Sequence, residues 1–193
     1  QQGGGGNTTF KGFSTLNIDG RSREALRIAA GTLTVDGGTT GTVILKNSNT
    51  QDSVINGYAQ SNGTMNITAG TVSVTGHQNT AIGMEGANLN LKADVVTVSA
   101  KTAIDVANGA ALTLGSATEG KEQTAIITGD VKVAEGGTAH IALNNEASLL
   151  KGSVQMSGDK ASLRMKDGAL WTVTGESTVS NLPVLAVLFT LVH

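Results

Sequence analysis

The 193-residue chain has a formal net charge of -2, charged residues make up 15% of it, and cysteine is absent. With neither a basic stripe nor an acidic tail, electrostatic capture of nucleic acid or of an anionic membrane has no basis. The lack of cysteine excludes disulfides, thiol nucleophiles and cysteine-ligated metal. Glycine is abundant at 26 residues, proline occurs once and aromatics amount to 3%. A core drawn from such a pool must be tiled with Ile, Val, Leu, Met and Ala, which suits a narrow interior where like side chains stack.

Residues 1–9 read as a flexible leader, because the run Gly3-Gly4-Gly5-Gly6 favours no regular element. Neither a charged n-region nor an apolar stretch opens the chain, so it reads as an excised or processed segment. Short apolar-polar-apolar segments then follow one another. Examples are Leu16-Asn17-Ile18, Leu33-Thr34-Val35, Met65-Asn66-Ile67, Val72-Ser73-Val74, Leu89-Asn90-Leu91 and Val96-Thr97-Val98. The series runs on through Val131-Lys132-Val133, Ile141-Ala142-Leu143, Val154-Gln155-Met156 and Leu163-Arg164-Met165. This is the period-two signature of strands with one buried face. Between them, Asp36-Gly37-Gly38, Asn108-Gly109, Glu135-Gly136-Gly137, Ser157-Gly158-Asp159 and Asp167-Gly168 are turn signals. No stretch carries helical spacing over a helix length.

A fixed period organises the strands. Thr80-Ala81-Ile82, Thr102-Ala103-Ile104 and Thr124-Ala125-Ile126 recur at steps of twenty-two residues. Met65 to Leu89 and Val72 to Val96 advance by twenty-four. Three strands fall within each repeat, and a repeat too short to enclose a core alone must stack on its neighbours. The spacing predicts a three-sided parallel β-helix over residues 10–182, in about eight coils. At about 4.8 Å between strands it would be roughly 40 Å long. Ile82, Ile104 and Ile126 are expected to stack in one internal column. Residues 183–193 form an apolar terminal segment, read as a cap or an appended end. Its apolar run is about eleven residues, against roughly twenty for a membrane-spanning helix, so direct membrane insertion of this segment is not expected.

Catalytic chemistry has little to stand on. The fifteen acidic residues are scattered. In the twenty-two-residue register Glu85 aligns with Ala107 and Gly129, and Asp105 with Gly83 and Ile127, so no ladder of carboxylates results. His77, His140 and His193 lie in no metal-ligand spacing, and no nucleophile elbow occurs. No catalytic residue, metal site or cofactor is assigned. Thr32-Leu33-Thr34 and Thr71-Val72-Ser73 have the look of the outward rows of ice-binding solenoids, but Asn90, Asp105, Lys132 and Arg164 interrupt the outward positions. Tyr58, Phe10 and Phe13 are the only aromatics before Trp171, so few platforms exist on which a sugar could stack.

The segment from Ala161 to Leu182 resembles the end of a pertactin-like autotransporter passenger. In that family a Leu-x-Leu strand leads into a run with Asn or Asp, Gly or Ala, Trp, Val or Met, Thr, Ser, Val and Leu at set places. Here Asp167, Ala169, Trp171, Val173, Thr174, Ser177, Val179 and Leu182 fill those places. The preceding 150 or so residues match only in style, as Gly-rich, cysteine-free coils. The resemblance implies a right-handed β-helix exported through an outer-membrane barrel, hence a passenger fragment at the surface of, or secreted from, a Gram-negative bacterium. It also implies a C-terminal cap and folding core, carried to Leu163, Met165, Trp171, Val173, Val179 and Leu182. From Pro183 to Phe189 the chain departs from the family's alternation and turns abruptly apolar.

The expected function is a non-enzymatic adhesin or autoaggregation stalk, acting through a long polar solenoid face. Its partners would be another copy of itself or a receptor on a host or bacterial surface, and not nucleic acid. The alternative is a carbohydrate-active β-helix enzyme of polysaccharide lyase or hydrolase type.

Overall fold

The computed structural model describes residues 5–58, 62–157, 160–185 and 188–191. Leader residues 1–4, the expected turn residues 158–159 and His193 lie outside them. The described chain contains nineteen strands and no helix, and every ladder joining the strands is parallel. The strands form three faces of a parallel β-helix with seven complete coils and the start of an eighth.

The first sheet stacks Asn7–Lys11 (β1), Thr32–Asp36 (β4), the start of Thr64–Thr75 (β7), the start of Asn88–Ala107 (β9), Ala111–Gly115 (β10), Thr138–Leu143 (β12) and Ala161–Lys166 (β15). The second sheet stacks Thr15–Asp19 (β2), Thr42–Lys46 (β5), the end of β7, the middle of β9, the start of Thr124–Val133 (β11), Leu149–Lys151 (β13) and Leu170–Val173 (β16). The third runs through Leu26–Ile28 (β3), Ile55–Gly57 (β6), Thr80–Glu85 (β8), the end of β9, the end of β11, Val154–Met156 (β14) and Thr178–Val179 (β17). Strands β7, β9 and β11 pass from one face to the next without a break.

Alternation sends every second residue inward, and parallel register puts like on like. Leu33, Met65, Leu89 and Leu112 form one column, and Leu45, Val74, Val98, Ile127, Leu150 and Trp171 another, all essentially buried. Each such side chain contributes about 1.5–3 kcal/mol by leaving water. One column narrows deliberately. Gly57 stands under Met84, and a Cβ there would lie 2.4 Å from the Met84 Cε. The missing side chain is what admits the methionine.

The steps of twenty-four and twenty-two residues are present, with Met65 on Leu89, Val72 on Val96 and Ile82 on Ile104. The third isoleucine is a correction. Ile104 is followed by Val131, and Ile126 lies on the second sheet between Thr97 and Leu149, pointing outward. The cause is the loop 116–123, inserted between β10 and β11, which lengthens that coil. The repeated Thr-Ala-Ile therefore falls on a different face. The leader is also shorter than expected. Asn7 already pairs with Thr32, and the Thr8-Thr9-Phe10 that follows it is a good strand sequence. At the other end, Val184–Leu185 (β18) pairs with Met165 and Lys166, and Leu188–Leu191 (β19) with β16, so the apolar segment carries the stacking onward.

Trp171 is 4% exposed, and its Nε1 donates to the Gly152 carbonyl at 3.0 Å. The ring thus lies within the stack, with the β19 backbone paired beyond it. Trp171→Ala should lower stability by about 3–5 kcal/mol and slow refolding. An unchanged urea midpoint and refolding rate would show that this ring anchors nothing.

Candidate functional site

The strongest candidate on surface geometry is the outward side of the first sheet. Its central column runs Thr9, Thr34, Asn66, Asn90, Thr113, His140 and Ser162, one residue per coil. Beside it lie Asn7, Thr32, Thr64, Asn88, Ala111 and Thr138. All of these side chains are at least partly exposed. The parallel ladder spaces them about 4.8 Å apart, so the central column extends for about 30 Å. Neighbours in it also touch. Asn90 Nδ2 donates to Asn66 Oδ1 at 2.9 Å, and His140 Nδ1 and Ser162 Oγ are 2.8 Å apart. The Asn66 amide and the Asn90 carbonyl oxygen keep capacity for a partner. This column contains no carboxylate, lysine or arginine; Lys11, Asp36, Lys92 and Arg164 line its edge. Asp105 and Lys132, expected to interrupt the threonine rows, belong to the third sheet.

Perturbed ionisable groups can mark chemistry. Asp94 is the most perturbed, and its surroundings give it another task. It accepts from Ser116 Oγ at 2.7 Å, Thr118 Oγ1 at 2.7 Å, Thr118 N at 2.9 Å and Lys121 Nζ at 2.9 Å. The Ser116 hydroxyl first, then Lys121 and Thr118, outweigh burial and hold its carboxyl well below the usual carboxylate range. With its acceptors taken up inside the protein, Asp94 latches the inserted loop 116–123 to the preceding coil. Gln123 completes the latch, donating to the carbonyls of Ala93 at 3.0 Å and Gly115 at 2.7 Å. Lys166 is raised, chiefly by its hydrogen bond to Glu122.

The other expected site residues fall in the core or at its rim. Leu163 and Met165 are fully buried with Trp171 beside them, while Val173, Val179 and Leu182 are half-buried against the core. Glu85 and Asp105 do align with Ala107 and Gly83, and this puts them diagonally on one face. They share a depression that sequence reasoning missed. Its only signal was the glycine opposite an aspartate. Among the described residues no group of three or more His, Asp or Glu side chains is placed to hold a metal ion. In comparisons with known proteins, no family model, curated protein or solved structure matches the chain.

Replacing Asp94 with alanine should cost about 2 kcal/mol at neutral pH, the worth of hydrogen bonds to a charged group. A carboxylate with a lowered folded pKa stabilises above its ordinary pKa of about 3.9, and that contribution fades as pH falls through and below it. The melting difference between parent and Asp94→Ala should therefore shrink on acidification. A gap that stays constant with pH would mean the latch is not electrostatic.

Proposed function

We propose that this chain is a non-catalytic surface stalk, a passenger fragment of autotransporter type, whose first-sheet face binds a second copy of itself. One observation carries the reading. Seven successive coils present Thr, Asn, His or Ser in one outward column free of formal charge. Each exposed amide or hydroxyl contributes little alone, about 0.5–1.5 kcal/mol net per hydrogen bond. Coils held in rigid register present many such groups together, so binding at one coil raises the effective concentration at the next. A receptor on a host or bacterial surface could use the same contacts. The passenger-like segment also supports the reading, since residues 161–182 span all three faces and form the seventh coil.

The diagonal pair Glu85 and Asp105 favours the alternative, a carbohydrate-active enzyme, because glycoside chemistry uses paired carboxylates. Their depression, of about 240 Å³, has room for one ring rather than for a polymer lying across a cleft. On that ground we rank catalysis second.

Cells displaying this chain should clump, and added soluble chain should disperse the clumps. Lysines at Thr34, Asn66 and Asn90 together should abolish clumping through like-charge repulsion, while the melting temperature stays close to the parent's. A folded triple variant that clumps as strongly as the parent would move the contact to another face.

A further inference from the structure

The third sheet carries an outward column of different character: Arg27, Asn56, Gly83, Asp105, Lys132 and Gln155. At Gly83 the column loses its side chain. A Cβ there would lie 2.5 Å from Ser53 Oγ, so the space is shaped around a glycine. The result is a notch of about 240 Å³ between the coils of Asn56 and Asp105. Ser53 and Thr80 line it where the chain enters the sheet, and Tyr58 and Glu85 where it leaves. Tyr58 is 51% exposed, and the Arg27 guanidinium carbon lies 4.6 Å from the centre of its ring.

Four of the polar groups that line this notch find no partner in the protein. Among the described residues, the hydroxyls of Ser53 and Thr80 and the carboxylates of Glu85 and Asp105 take part in no hydrogen bond. Asp105 is the telling one. It is half-buried, and desolvation holds its carboxyl above the ordinary range despite the nearby Lys132. Half-buried and not sealed from water, its oxygens leave acceptor capacity that a ligand's donors can take up. Asn56 gives its amide to Glu24 Oε1 at 3.1 Å, which leaves its carbonyl oxygen as a further acceptor.

We propose that the Gly83 notch binds one neutral saccharide ring, a hexopyranose residue of a glycan. Adjacent ring hydroxyls donate to Asp105 and Glu85 and accept from Ser53 and Thr80, while the ring's apolar C–H groups meet Tyr58. Charge selects this class over others. Two carboxylates repel phosphate or sulfate. Arg27 beside Tyr58 and Lys132 beside Asp105 offset those acids and disfavour a cationic ligand. A polyol carries the dense donor set that the acceptors lack, and the volume is below the roughly 300–1,000 Å³ of pockets for drug-sized ligands. The site lies on the third sheet, apart from the polar column of the first.

The test is an amide-correlation NMR titration of the full chain with methyl α-glucopyranoside, methyl β-galactopyranoside and methyl α-mannopyranoside, each into the tens of millimolar. At least one glycoside should move the amides of Ser53, Asn56, Gly83 and Asp105 saturably and leave those of Thr34, Asn66 and Asn90 in place. Glu85→Gln and Asp105→Asn should each weaken that binding about tenfold, the loss of one charge-assisted hydrogen bond. Gly83→Ser, which fills the notch, should abolish it. Glu85 is exposed, so its substitution tests the site even if Gly83→Ser fails to fold. No saturable shift with any of the three glycosides would overturn the proposal. So would notch shifts caused by tetramethylammonium but not by the glycosides, or glycoside shifts unchanged in a folded Gly83→Ser. Cell clumping that stays intact in Glu85→Gln separates this site from the first-sheet contact.

Discussion

The parallel stacking of coils constrains everything else in this molecule. An inward side chain has few neighbours within its own coil, so most of its packing comes from the residues directly above and below. Leu89 is buried by Met65 and Leu112, and neither is near it in sequence. A column works only if each coil returns the chain to the same place. The path between strands must therefore close three corners with every backbone group satisfied. Buried amides do this at the corner between the second and third sheets. Asn47 and Asn79 both donate to the Asp52 carbonyl, at 3.1 and 2.8 Å, while their own oxygens accept from the amides of Asn49 and His77. Polar side chains inside an otherwise aliphatic tube are thus tied to the corners, where regular pairing stops.

The same constraint frees the outer surface. Because the inward columns and corner amides fix the path, outward residues can vary from face to face without disturbing it. The first sheet carries threonine and asparagine. The second becomes apolar toward one end, with Ile126, Leu149 and Leu170 stacked outward. The third carries charge, an exposed tyrosine and a gap. Three surfaces of different chemistry share one framework, and a binding function on one need not perturb the others.

How much of this was legible in the sequence depends on whether the signal was local. Alternation in Leu89-Asn90-Leu91 and turn glycines such as Gly109 and Gly168 are local, so strands and bends could be read directly. The steps linking Met65 to Leu89 and Ile82 to Ile104 were also readable, since the intervening loops are short. Ile126 was misread because an identical tripeptide begins a strand on another face, after a loop whose length only Asp94 and Gln123 make regular. The notch was illegible for a related reason. Gly83, Asp105, Tyr58 and Ser53 meet only once coils are in register, and the loop before Ser53 hides that register. The polar column of the first sheet was half visible, as Asn66 and Asn90 in strand context. Which charged residues shared its face was not.

Strand β9 runs for 20 residues through all three faces and pairs with β7, β8, β10 and β11. Ladder bonds in such a tube point along its long axis, so tension between the two ends strains them a few at a time at the outermost turn. On that geometry the end coils, paired on one side only, are expected to unwind before the β9 turn, which is paired on both. A solenoid paired in this way would lengthen from its ends under load before its middle turn opened.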